Sequence, residues 1–420
     1  MKSHKFALQI KARFITTTPL MIRSGFEGEF TDSSVEKTPE GKIHVNGYVW
    51  SSLIRRALLR IRDAQTLAHT IGKYEEEGVS PLWTEATFID TIVTDVRPGN
   101  RIDRSYGITV KGALFNDEIA PAGLEGELRL TYFAESSESI RELKPKLLKA
   151  LSVINSGIEN IGAGWSYGFG RLKIQDVFSR TVDLSRDSLW DWSSDSFLSE
   201  TLPELKAVEI SKPWKRYIVK ARILDGQLLA VHTKEPSQNE YAELPDSYVY
   251  VGHVIRDGKP EHRYIIPGRT IRQALFSVPI ERALRTKGIH VCTDAGALKD
   301  GCSCQRCRWF GSAGNAGVIA VTDAVVEDAQ TVVLHRIQLD EHSMQNINLF
   351  SSEYLCKGSF NFEIIVDTSR EEAKGLIDEI EKLLKELSYS SHCPPGWYRL
   401  GATSTCTGQI MFTKVEEVQP

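Results

Sequence analysis

The chain has 420 residues, enough for two domains of ordinary size. It is 41% hydrophobic and 25% charged, as in soluble globular proteins, and no apolar run reaches the roughly 20 residues that cross a bilayer. The formal net charge of -4 excludes a general polycation, so any contact with nucleic acid must come from local basic patches. The N-terminal residues lack the pattern of a signal peptide, and we expect a cytoplasmic protein.

The first part of the chain carries strand and helix patterns in alternation. Residues 5–16 alternate apolar and polar side chains, which predicts a half-buried strand. Apolar residues at helical spacing predict helices from about Tyr48 and over 137–155, and further strands are predicted over 86–97 and 125–134. A last strand follows a glycine-rich loop. The resulting order, β-α-β-β-α-β, is typical of a ferredoxin-like domain of the α+β class.

The composition changes over residues 185–212, which are rich in Ser, Asp and Trp and have only a weak period. We interpret this stretch as a linker between a first domain, residues 1–184, and a second domain, residues 213–420. Trp190 and Trp192 in the linker are expected to dock onto one of the domains, because large aromatic side chains gain much from burial.

The second domain repeats the element order of the first. Its predicted elements are strands over 215–231 and 318–326, a helix opened by Pro267-Gly268 and bent at Pro279, and a helix over 370–387. Four residue types recur at a constant offset of 235, in the pairs Phe115 and Phe350, Glu118 and Glu353, Gly123 and Gly358, and Arg101 and Arg336. Since a chance repeat would not preserve both the order and the offset, the sequence predicts a duplicated domain.

Four motifs in one order resemble a known family: PLMIRSG near the start, a lone Asp before VNGYVWSSLIRRAL, RIDRSYG followed by GALFNDEIAPAG, and NIGAGWSYGFGRLKI. They are similar to motifs of the RAMP superfamily, and more narrowly to the backbone subunits of type III CRISPR effector complexes. With two repeats in one chain, the protein most resembles the double-repeat subunit of type III-D systems. The resemblance covers nearly the whole chain except the linker.

The resemblance implies two tandem ferredoxin-like (RRM-like) RAMP domains, each with a β-hairpin thumb that kinks a guide RNA. The thumbs would span about 97–121 and about 332–355. The implied partners are CRISPR guide RNA, complementary single-stranded target RNA and other type III effector subunits, with no membrane. In this family an Asp in the loop before the first helix is needed to cleave target RNA with Mg²⁺ or another divalent cation. The chain would then be an RNA-guided endoribonuclease, active within the assembled complex.

Asp32 occupies the position of this loop acid in the first repeat. A carboxylate there can orient the attacking 2′-hydroxyl, accept its proton or hold a divalent ion, whereas the structural alternative is a loop Asp that caps a turn. In the second repeat we assign the catalytic acid to Asp246. It lies 22 residues before the helix-opening glycine, whereas Asp32 lies 15 residues before its own. The alternatives in the second repeat are His253, Asp257 and an inactive site.

Four of the seven cysteines fall within sixteen residues, at Cys292, Cys302, Cys304 and Cys307. In a cytosolic protein such a cluster indicates a metal site rather than disulfides. Four thiolates suit a closed, tetrahedral Zn²⁺ site of the structural kind, so we expect a zinc-binding insertion over 292–307. The remaining cysteines are expected to be plain buried thiols, at Cys356, Cys393 and Cys406.

The glycine-rich loop of the first domain has the composition of an RNA contact, because glycines let backbone N–H groups approach phosphates and aromatic rings stack on bases. The predicted RNA-binding residues of this loop are Gly162, Gly164, Trp165, Tyr167, Phe169 and Arg171. The helices after the two acid loops add Arg55, Arg56, Arg269 and Arg272, which are placed to reach phosphates. The alternatives are a tight turn with its aromatics in the core, and ordinary solvated arginines.

Two other functions fit the sequence. One is a purely structural filament subunit that binds guide RNA without catalysis. The other is a RAMP endonuclease that processes repeat RNA, a chemistry that usually employs a histidine base. His44 and His69 are the histidines near the first acid loop and its helix, but neither falls in a recognisable constellation.

Overall fold

The computed structural model describes residues 4–72, 80–91, 93–102, 109–193, 195–233, 245–292, 302–312, 315–389, 399–401 and 407–418. Within these residues the chain folds into two halves of mixed helix and strand, each built on an antiparallel sheet. We call residues before the linker the first half and residues after it the second half. None of the helices described is long and apolar enough to span a membrane.

The first half is a sheet with two long helices packed against it. Its elements are strands β1 (Phe6–Thr16), β2 (Ile43–Val45), β3 (Leu82–Thr84), β4 (Thr87–Ile89), β5 (Asp95–Ile102), β6 (Thr109–Ile119), β7 (Glu125–Ala134) and β8 (Leu172–Asp183), and helices α1 (Gly47–Leu59), α2 (Gln65–Gly72) and α3 (Ser137–Asn155). The main sheet has the order β3-β7-β1-β8-β9, in which β9 (Leu198–Glu200) comes from the linker, and apolar residues of β1, α1 and α3 share one core. Ser136 caps α3 by accepting the N–H of Ser139. The strands predicted over 5–16 and 125–134 and the helix predicted over 137–155 are confirmed.

The prediction of one strand over 86–97 is wrong. Residues 87–89 form β4, which pairs with β2, whereas β5 begins at Asp95 and pairs with β6 in a hairpin. The strand that joins the main sheet is β3, beside β7. The apolar alternation in this segment serves two separate pairings, one with the distant β2 and one with the next strand, β6, which a local period cannot distinguish.

The second half repeats this plan with longer hairpins. Its elements are strands β10 (Trp214–Ile223), β11 (His232–Thr233), β12 (Tyr248–Val249), β13 (Val251–Arg256), β14 (Lys259–Ile266), β15 (Ile319–Val321), β16 (Ala324–Leu339), β17 (Asn346–Asp367) and β18 (Ile410–Val418), and helices α4 (Gly268–Ile271), α5 (Val278–Thr286), α6 (Gln305–Phe310) and α7 (Ala373–Tyr389). Strands β15, β17, β10 and β18 adjoin in that order, which matches the first half. The strand predicted over 215–231 ends at Ile223, and the one predicted over 318–326 is divided between β15 and β16.

The helix predicted after Pro267 is irregular. A π-helical segment, Arg272–Ser277, separates α4 from α5. It ends just before Pro279, which lacks an N–H and cannot continue a regular helix ladder. The helix is therefore interrupted as expected, but about one turn before the proline rather than at it.

A two-stranded hairpin extends from each half, close to the predicted thumb positions. We call β5–β6 (residues 95–119) the first hairpin, and β16 with the start of β17 (residues 324–358) the second hairpin. A further hairpin, formed by β13 and β14 (residues 251–266), was not predicted from the sequence. It lies in the longer acid loop of the second half.

The linker packs on the face of β1 that points away from the core. The carbonyl oxygens of Leu189 and Trp192 accept hydrogen bonds from Gln9 at 2.6 Å and Lys11 at 3.2 Å. The ring of Trp192 also lies under the Arg129 guanidinium, 5.5 Å from the ring centroid. Trp190 is 73% exposed, so the expectation that both tryptophans dock is wrong for this one.

Buried ion pairs join the two halves. Arg97 at the base of the first hairpin is 3% exposed and donates to Asp323 Oδ2 at 2.8 Å and to the Tyr250 hydroxyl at 3.2 Å. Burial disfavours the charged guanidinium, but the attraction of Asp323 outweighs it and raises the pKa of Arg97 above its ordinary value. Asp323 also accepts the Gly268 N–H at 2.7 Å, so one carboxylate fixes both the hairpin base and the start of α4.

We expect Arg97→Met to destabilise the protein by about 3–5 kcal/mol, because it leaves the Asp323 carboxylate buried without a counter-charge. Urea-induced unfolding of the purified chain measures the change. The matched control is Arg62→Met, which breaks an exposed pair with Glu209 and should cost less than about 1 kcal/mol. Equal losses in the two variants would show that the Arg97 pair does not hold the halves together.

Candidate functional site

Asp32 lies on a loop that packs along the first hairpin. Its backbone N–H donates to the Asn116 carbonyl at 2.8 Å, and the Asn116 N–H donates to Asp32 Oδ2 at 2.7 Å. The side chain is exposed, and its Oδ1 accepts no hydrogen bond within the part of the chain that the structure describes. The carboxylate is therefore held in place through one oxygen and offers the other to solvent.

Asp246 makes the same pair of contacts with the second hairpin. Its N–H donates to the Ser351 carbonyl at 3.1 Å, and the Ser351 N–H donates to Asp246 Oδ2 at 2.7 Å. This side chain is exposed as well. Ser351 follows Asn116 by 235 positions, the offset of the repeat. The two carboxylates thus occupy equivalent positions in the two halves.

Two glutamates hold the acid loops on their hairpins. Glu118 Oε2 accepts the Val35 N–H at 2.9 Å, and Glu353 Oε2 accepts the Val249 N–H at 2.9 Å. Glu118 and Glu353 are among the pairs that the sequence places at the constant offset. Each loop is therefore fixed at the acid and again three residues later.

The surroundings of Glu118 favour its ionised form. Partial burial raises the pKa of Glu118, but hydrogen bonds from Lys37 at 2.5 Å, from Thr94 at 2.6 Å and from a backbone N–H hold the pKa below its ordinary value. Glu353 is fully buried and accepts the Tyr264 hydroxyl at 3.0 Å. Both loops consequently rest on a carboxylate whose polar partners lie within the protein.

A short sequence signal for the second acid was available. Residues 32–35 read Asp-Ser-Ser-Val and residues 246–249 read Asp-Ser-Tyr-Val, and the structure places these segments in equivalent positions. The additional seven residues before the second helix come later, where the hairpin 251–266 is inserted. The spacing to the helix therefore misleads, whereas the motif itself does not.

Neither alternative residue for the second acid occupies the equivalent position. His253 lies on β13, where its Nδ1 bonds to Asp95 of the first half at 2.5 Å. Asp257 lies in the turn of the hairpin 251–266, with φ of 49°. The contact with Ser351 belongs to Asp246.

The glycine-rich loop of the first half packs against the second half. Phe169 is 2% exposed and lies in a small core with Met21 and Ile119. A Cβ added at Gly168 would come within 2.8 Å of Thr322 in the second half. The prediction that Phe169 stacks on an RNA base is therefore wrong, since its ring is covered by protein.

Arg171 is likewise committed to the junction between the halves. It is 5% exposed and forms an ion pair with Glu363, which also binds Arg216. Burial lowers the pKa of Arg171 to about 10, and the attraction of Glu363 opposes the shift. The predicted phosphate contact is wrong for Arg171, because its guanidinium is buried in the protein and paired with Glu363.

Arg269 closes the same junction from the other side. Its Nη2 donates to Asp117 of the first hairpin at 2.9 Å, and its guanidinium lies 4.4 Å from the ring centroid of Tyr167 and 4.7 Å from that of Phe115. Tyr167 and Trp165 are half-buried, and Trp165 packs against the first core. These predicted RNA-binding side chains therefore bind one another or the core.

The loop glycines are needed for backbone packing. Gly162 and Gly164 have φ of +77° and +82°, which L side chains disfavour. A Cβ at Gly162 would meet the Met21 carbonyl oxygen, and that oxygen accepts the Ala163 N–H at 2.8 Å. The backbone thus approaches protein at the point where phosphate was expected.

Gly170 allows a test of this packing role. Its φ is +73°, and a Cβ there would collide with the Ile161 carbonyl oxygen. We expect Gly170→Ala to destabilise the chain by about 2–5 kcal/mol in urea unfolding, from left-handed strain and overpacking together. Gly41→Ala is the matched control, because Gly41 has φ of +83° with open space around it and should show the strain alone. Similar losses in both variants would contradict the packing role.

The helix arginines differ in how available they are. Arg55 is exposed and has no side-chain partner among the residues that the structure describes, so it remains suited to a phosphate. Arg56 is exposed but donates to the Asn160 carbonyl at 2.5 Å. Arg272 donates to the Phe310 carbonyl, and burial lowers its pKa to about 10. The phosphate contact predicted for Arg272 is therefore wrong.

The four clustered cysteines meet in space. The Sγ atoms of Cys292, Cys302, Cys304 and Cys307 all lie within 4.8 Å of one another. A tetrahedral Zn²⁺ with Zn–S bonds of about 2.3 Å separates its sulfur ligands by about 3.8 Å, so the cluster suits a metal such as zinc. Among the other cysteines, Cys356 is half-buried rather than buried. Cys393 and Cys406 lie outside the described residues.

Among the described residues, the histidines considered for repeat-RNA processing make only local contacts. His44 Nδ1 bonds to Glu36 at 2.6 Å, and its ring stacks on Phe88 with 5.3 Å between centroids. His69 is an exposed residue in α2. The structure gives neither of them a role beyond its local contacts.

The duplicated fold and the paired acid loops can be compared with known families. The model of one family, described as RAMP superfamily, matches residues 13–173 and 247–405. The chain belongs to the RAMP superfamily. The two RAMP regions fall in the two halves and confirm the predicted duplication. Comparison with curated proteins gave no match.

RAMP membership implies a CRISPR-associated RNA-binding subunit. Asp32 lies within the first RAMP region, and Asp246 immediately precedes the second. The sequence reasoning missed the hairpin residues that hold these acids and the ion pairs that join the halves. The constant offset was the signal for the hairpin residues, whereas no sequence pattern marked the ion pairs.

Proposed function

We propose that the chain is a backbone subunit of a type III CRISPR ribonucleoprotein, of the double-repeat kind found in type III-D systems. It binds guide RNA and cleaves complementary single-stranded target RNA, together with other type III effector subunits, in the cytoplasm. Each half has a ferredoxin-like core, which the matching strand order of the two sheets supports. The two hairpins act as thumbs, and the cysteine cluster holds a structural Zn²⁺.

One observation carries the catalytic part of the proposal. Asp32 and Asp246 are exposed carboxylates at equivalent positions, each held against a hairpin by the same pair of hydrogen bonds. A duplication retains the fold through its core residues, but an exposed acid contributes little to a core. Two such acids beside two thumbs support two cleavage positions on one RNA.

The carboxylates fit the chemistry of RNA cleavage by the neighbouring 2′-hydroxyl. Each has one oxygen bound to the hairpin backbone, which leaves Oδ1 to orient the hydroxyl or to accept its proton. One carboxylate together with substrate phosphate is also a common way to bind Mg²⁺. Asp32 and Asp246 would each hold such an ion at its own site. The ion would neutralise charge that develops on the phosphate.

Exposed apolar side chains near Asp32 supply surfaces for RNA bases. Phe26 and Phe30 lie on the acid loop and are 78% and 74% exposed, and Leu114 on the first hairpin is 75% exposed. The two phenylalanine rings can stack on unpaired bases, and Leu114 adds apolar contact surface. With Phe169 and Arg171 buried, we assign the RNA contact of the first half to this surface and to Arg55.

A purely structural guide-binding subunit is the second candidate. The observation in its favour is that each Asp accepts a hairpin N–H, a contact that fixes a loop without any catalysis.

Cleavage mapping separates the two functions. The assembled complex is given a guide-matched RNA with and without divalent cation, in wild-type form and with Asp32→Ala plus Asp246→Ala. The proposal requires metal-dependent cleavage that the double variant lacks, whereas cleavage of repeat RNA by the purified chain alone would favour the processing endonuclease.

A further inference from the structure

The hairpin 251–266 carries two histidines to which the proposed function assigns no role. His253 on β13 and His262 on β14 are directly opposite each other in the antiparallel pair. Their Nε2 atoms are 3.1 Å apart, and the ring centroids are 4.1 Å apart. His262 is exposed, so the space beyond the two nitrogens is open to solvent.

A carboxylate from the other half fixes the orientation of the first imidazole. Asp95 Oδ1 lies 2.5 Å from His253 Nδ1, and Asp95 Oδ2 accepts the His253 backbone N–H at 2.8 Å. A carboxylate can accept a hydrogen bond from Nδ1–H, and in this tautomer of neutral His253 the unprotonated ring nitrogen is Nε2, the one that lies 3.1 Å from His262 Nε2. Asp95 is 8% exposed, so this contact is shielded from water.

The hairpin is also anchored to the first half by backbone contacts. The Ile255 N–H, two residues after His253, donates to the Ala122 carbonyl at 2.8 Å. Gly252 permits the close approach, since a Cβ there would lie 3.1 Å from Asp95 Oδ2. The two imidazoles are therefore positioned by the fold before any ligand binds.

These distances match a metal chelate. Zn–N bonds of about 2.0–2.1 Å at a tetrahedral centre separate two nitrogen ligands by about 3.4 Å, close to the observed spacing. Metal-bound histidines usually donate their other ring N–H to a carboxylate, which is the role Asp95 fills. We propose that His253 and His262 chelate a divalent transition-metal ion, Zn²⁺ in particular, with Asp95 as the positioning residue. The open side leaves coordination positions for water or an anionic oxygen.

This site is distinct from the cysteine cluster and from the proposed cleavage acids. Because Asp95 belongs to the first hairpin and both ligands belong to the second half, a bound ion would tie the base of one thumb to the neighbouring domain. The inference depends on the geometry of these three residues and not on the proposed nuclease activity. A negative result for the nuclease activity would therefore leave the histidine site unaffected, and the reverse also holds.

Equilibrium dialysis of the untagged full-length chain against Zn²⁺, followed by metal analysis, tests the proposal. We expect His253→Gln and His262→Gln each to hold one Zn²⁺ per chain fewer than wild type, whatever the cysteine cluster holds. His342→Gln is the control, because His342 is an exposed histidine at the tip of the second hairpin and should leave the count unchanged. An unchanged count in His262→Gln, whose exposed site tolerates substitution, would overturn the proposal.

The role of Asp95 has its own measurement. Competition with a graded series of chelators gives the affinity of the histidine site, and loss of a carboxylate behind a ligand typically weakens binding 10–100-fold. We expect Asp95→Asn to weaken Zn²⁺ binding within this range while the stoichiometry at saturation stays that of wild type. Equal affinities in wild type and Asp95→Asn would overturn the positioning role.

Discussion

In the assembled complex, Asp32→Asn should remove one target-RNA cleavage position and Asp246→Asn should remove another. Each substitution is expected to slow cleavage at its own position by about 100-fold to 10,000-fold, the usual contribution of a catalytic acid or base. Because the acids occupy equivalent positions on separate hairpins, each variant should leave the other position intact. Mapping the 5′ ends of products from a guide-matched RNA measures both rates at once.

The choice of asparagine separates chemistry from structure. The amide oxygen of Asn can still accept the hairpin N–H that Asp32 Oδ2 accepts at 2.7 Å, whereas Ala cannot. If the contact is purely structural, the Asn variants should cleave like wild type and only the Ala variants should fail. That pattern would refute the catalytic role. Loss of cleavage in the Asn variants, with unchanged binding of guide and target RNA, is the result we expect.

Two controls complete the experiment. Glu29→Gln removes an exposed negative charge from the same loop as Asp32 and should leave cleavage unchanged. Asp257→Asn removes the alternative acid of the second half, which lies in the turn of the hairpin 251–266. Loss of the second cleavage position in Asp257→Asn, but not in Asp246→Asn, would show that the acid was assigned wrongly.

Regular elements with many local contacts were predictable. The helix over 137–155 was predicted with the observed bounds, because its apolar residues recur at helical spacing over five turns. The segment 86–97 was not, because β4 has only three residues and because β4 and β5 pair with different strands outside the segment. The hydrophobic period indicates which face of a strand is buried, but it does not indicate which sheet the strand joins.

The acid positions were predictable in part. Asp32 followed from the motif around the first helix. For Asp246, the inserted hairpin altered the distance to the helix, and the equivalence became clear through contacts with Ser351 and Glu353. The hydrogen bonds to the hairpin hold the acid in the same position even though the loop that follows it is longer in the second half.

The glycine-rich loop shows a limit of sequence reasoning. Glycine, aromatic residues and arginine suit an RNA strand, but they suit a protein surface equally well when that surface offers carboxylates. Arg171 binds Glu363 and Arg269 binds Asp117, both across the junction of the halves. The composition of the loop indicates that its partner carries negative charge and offers flat surfaces. It cannot say whether that partner is RNA or the other half of the chain.

The second large effect concerns the cysteine cluster. Cys307 is fully buried, and it lies in α6 together with Trp309, which packs into the second core and donates to the Glu372 carbonyl at 2.6 Å. We expect Cys307→Ser to lose one Zn²⁺ per chain and to destabilise the second half by about 5 kcal/mol, since metal binding of this kind is coupled to folding. Such a loss corresponds to a fall in Tm of roughly 10–20 °C for a domain of this size.

Metal removal and a matched cysteine distinguish this effect from simple core damage. In a His262→Gln background, which lacks the proposed histidine site, a strong zinc chelator should lower the Tm as far as Cys307→Ser does, and the chelator should then have little further effect on the Cys307→Ser variant. Cys356→Ser alters a half-buried thiol outside the cluster and should keep both the metal and the Tm. If Cys307→Ser lowers the Tm while the His262→Gln chain is indifferent to the chelator, α6 is held by packing and the cluster carries no structural zinc. The expected agreement between chelation and substitution would instead show that the ion supports α6, because no change in side-chain volume accompanies chelation.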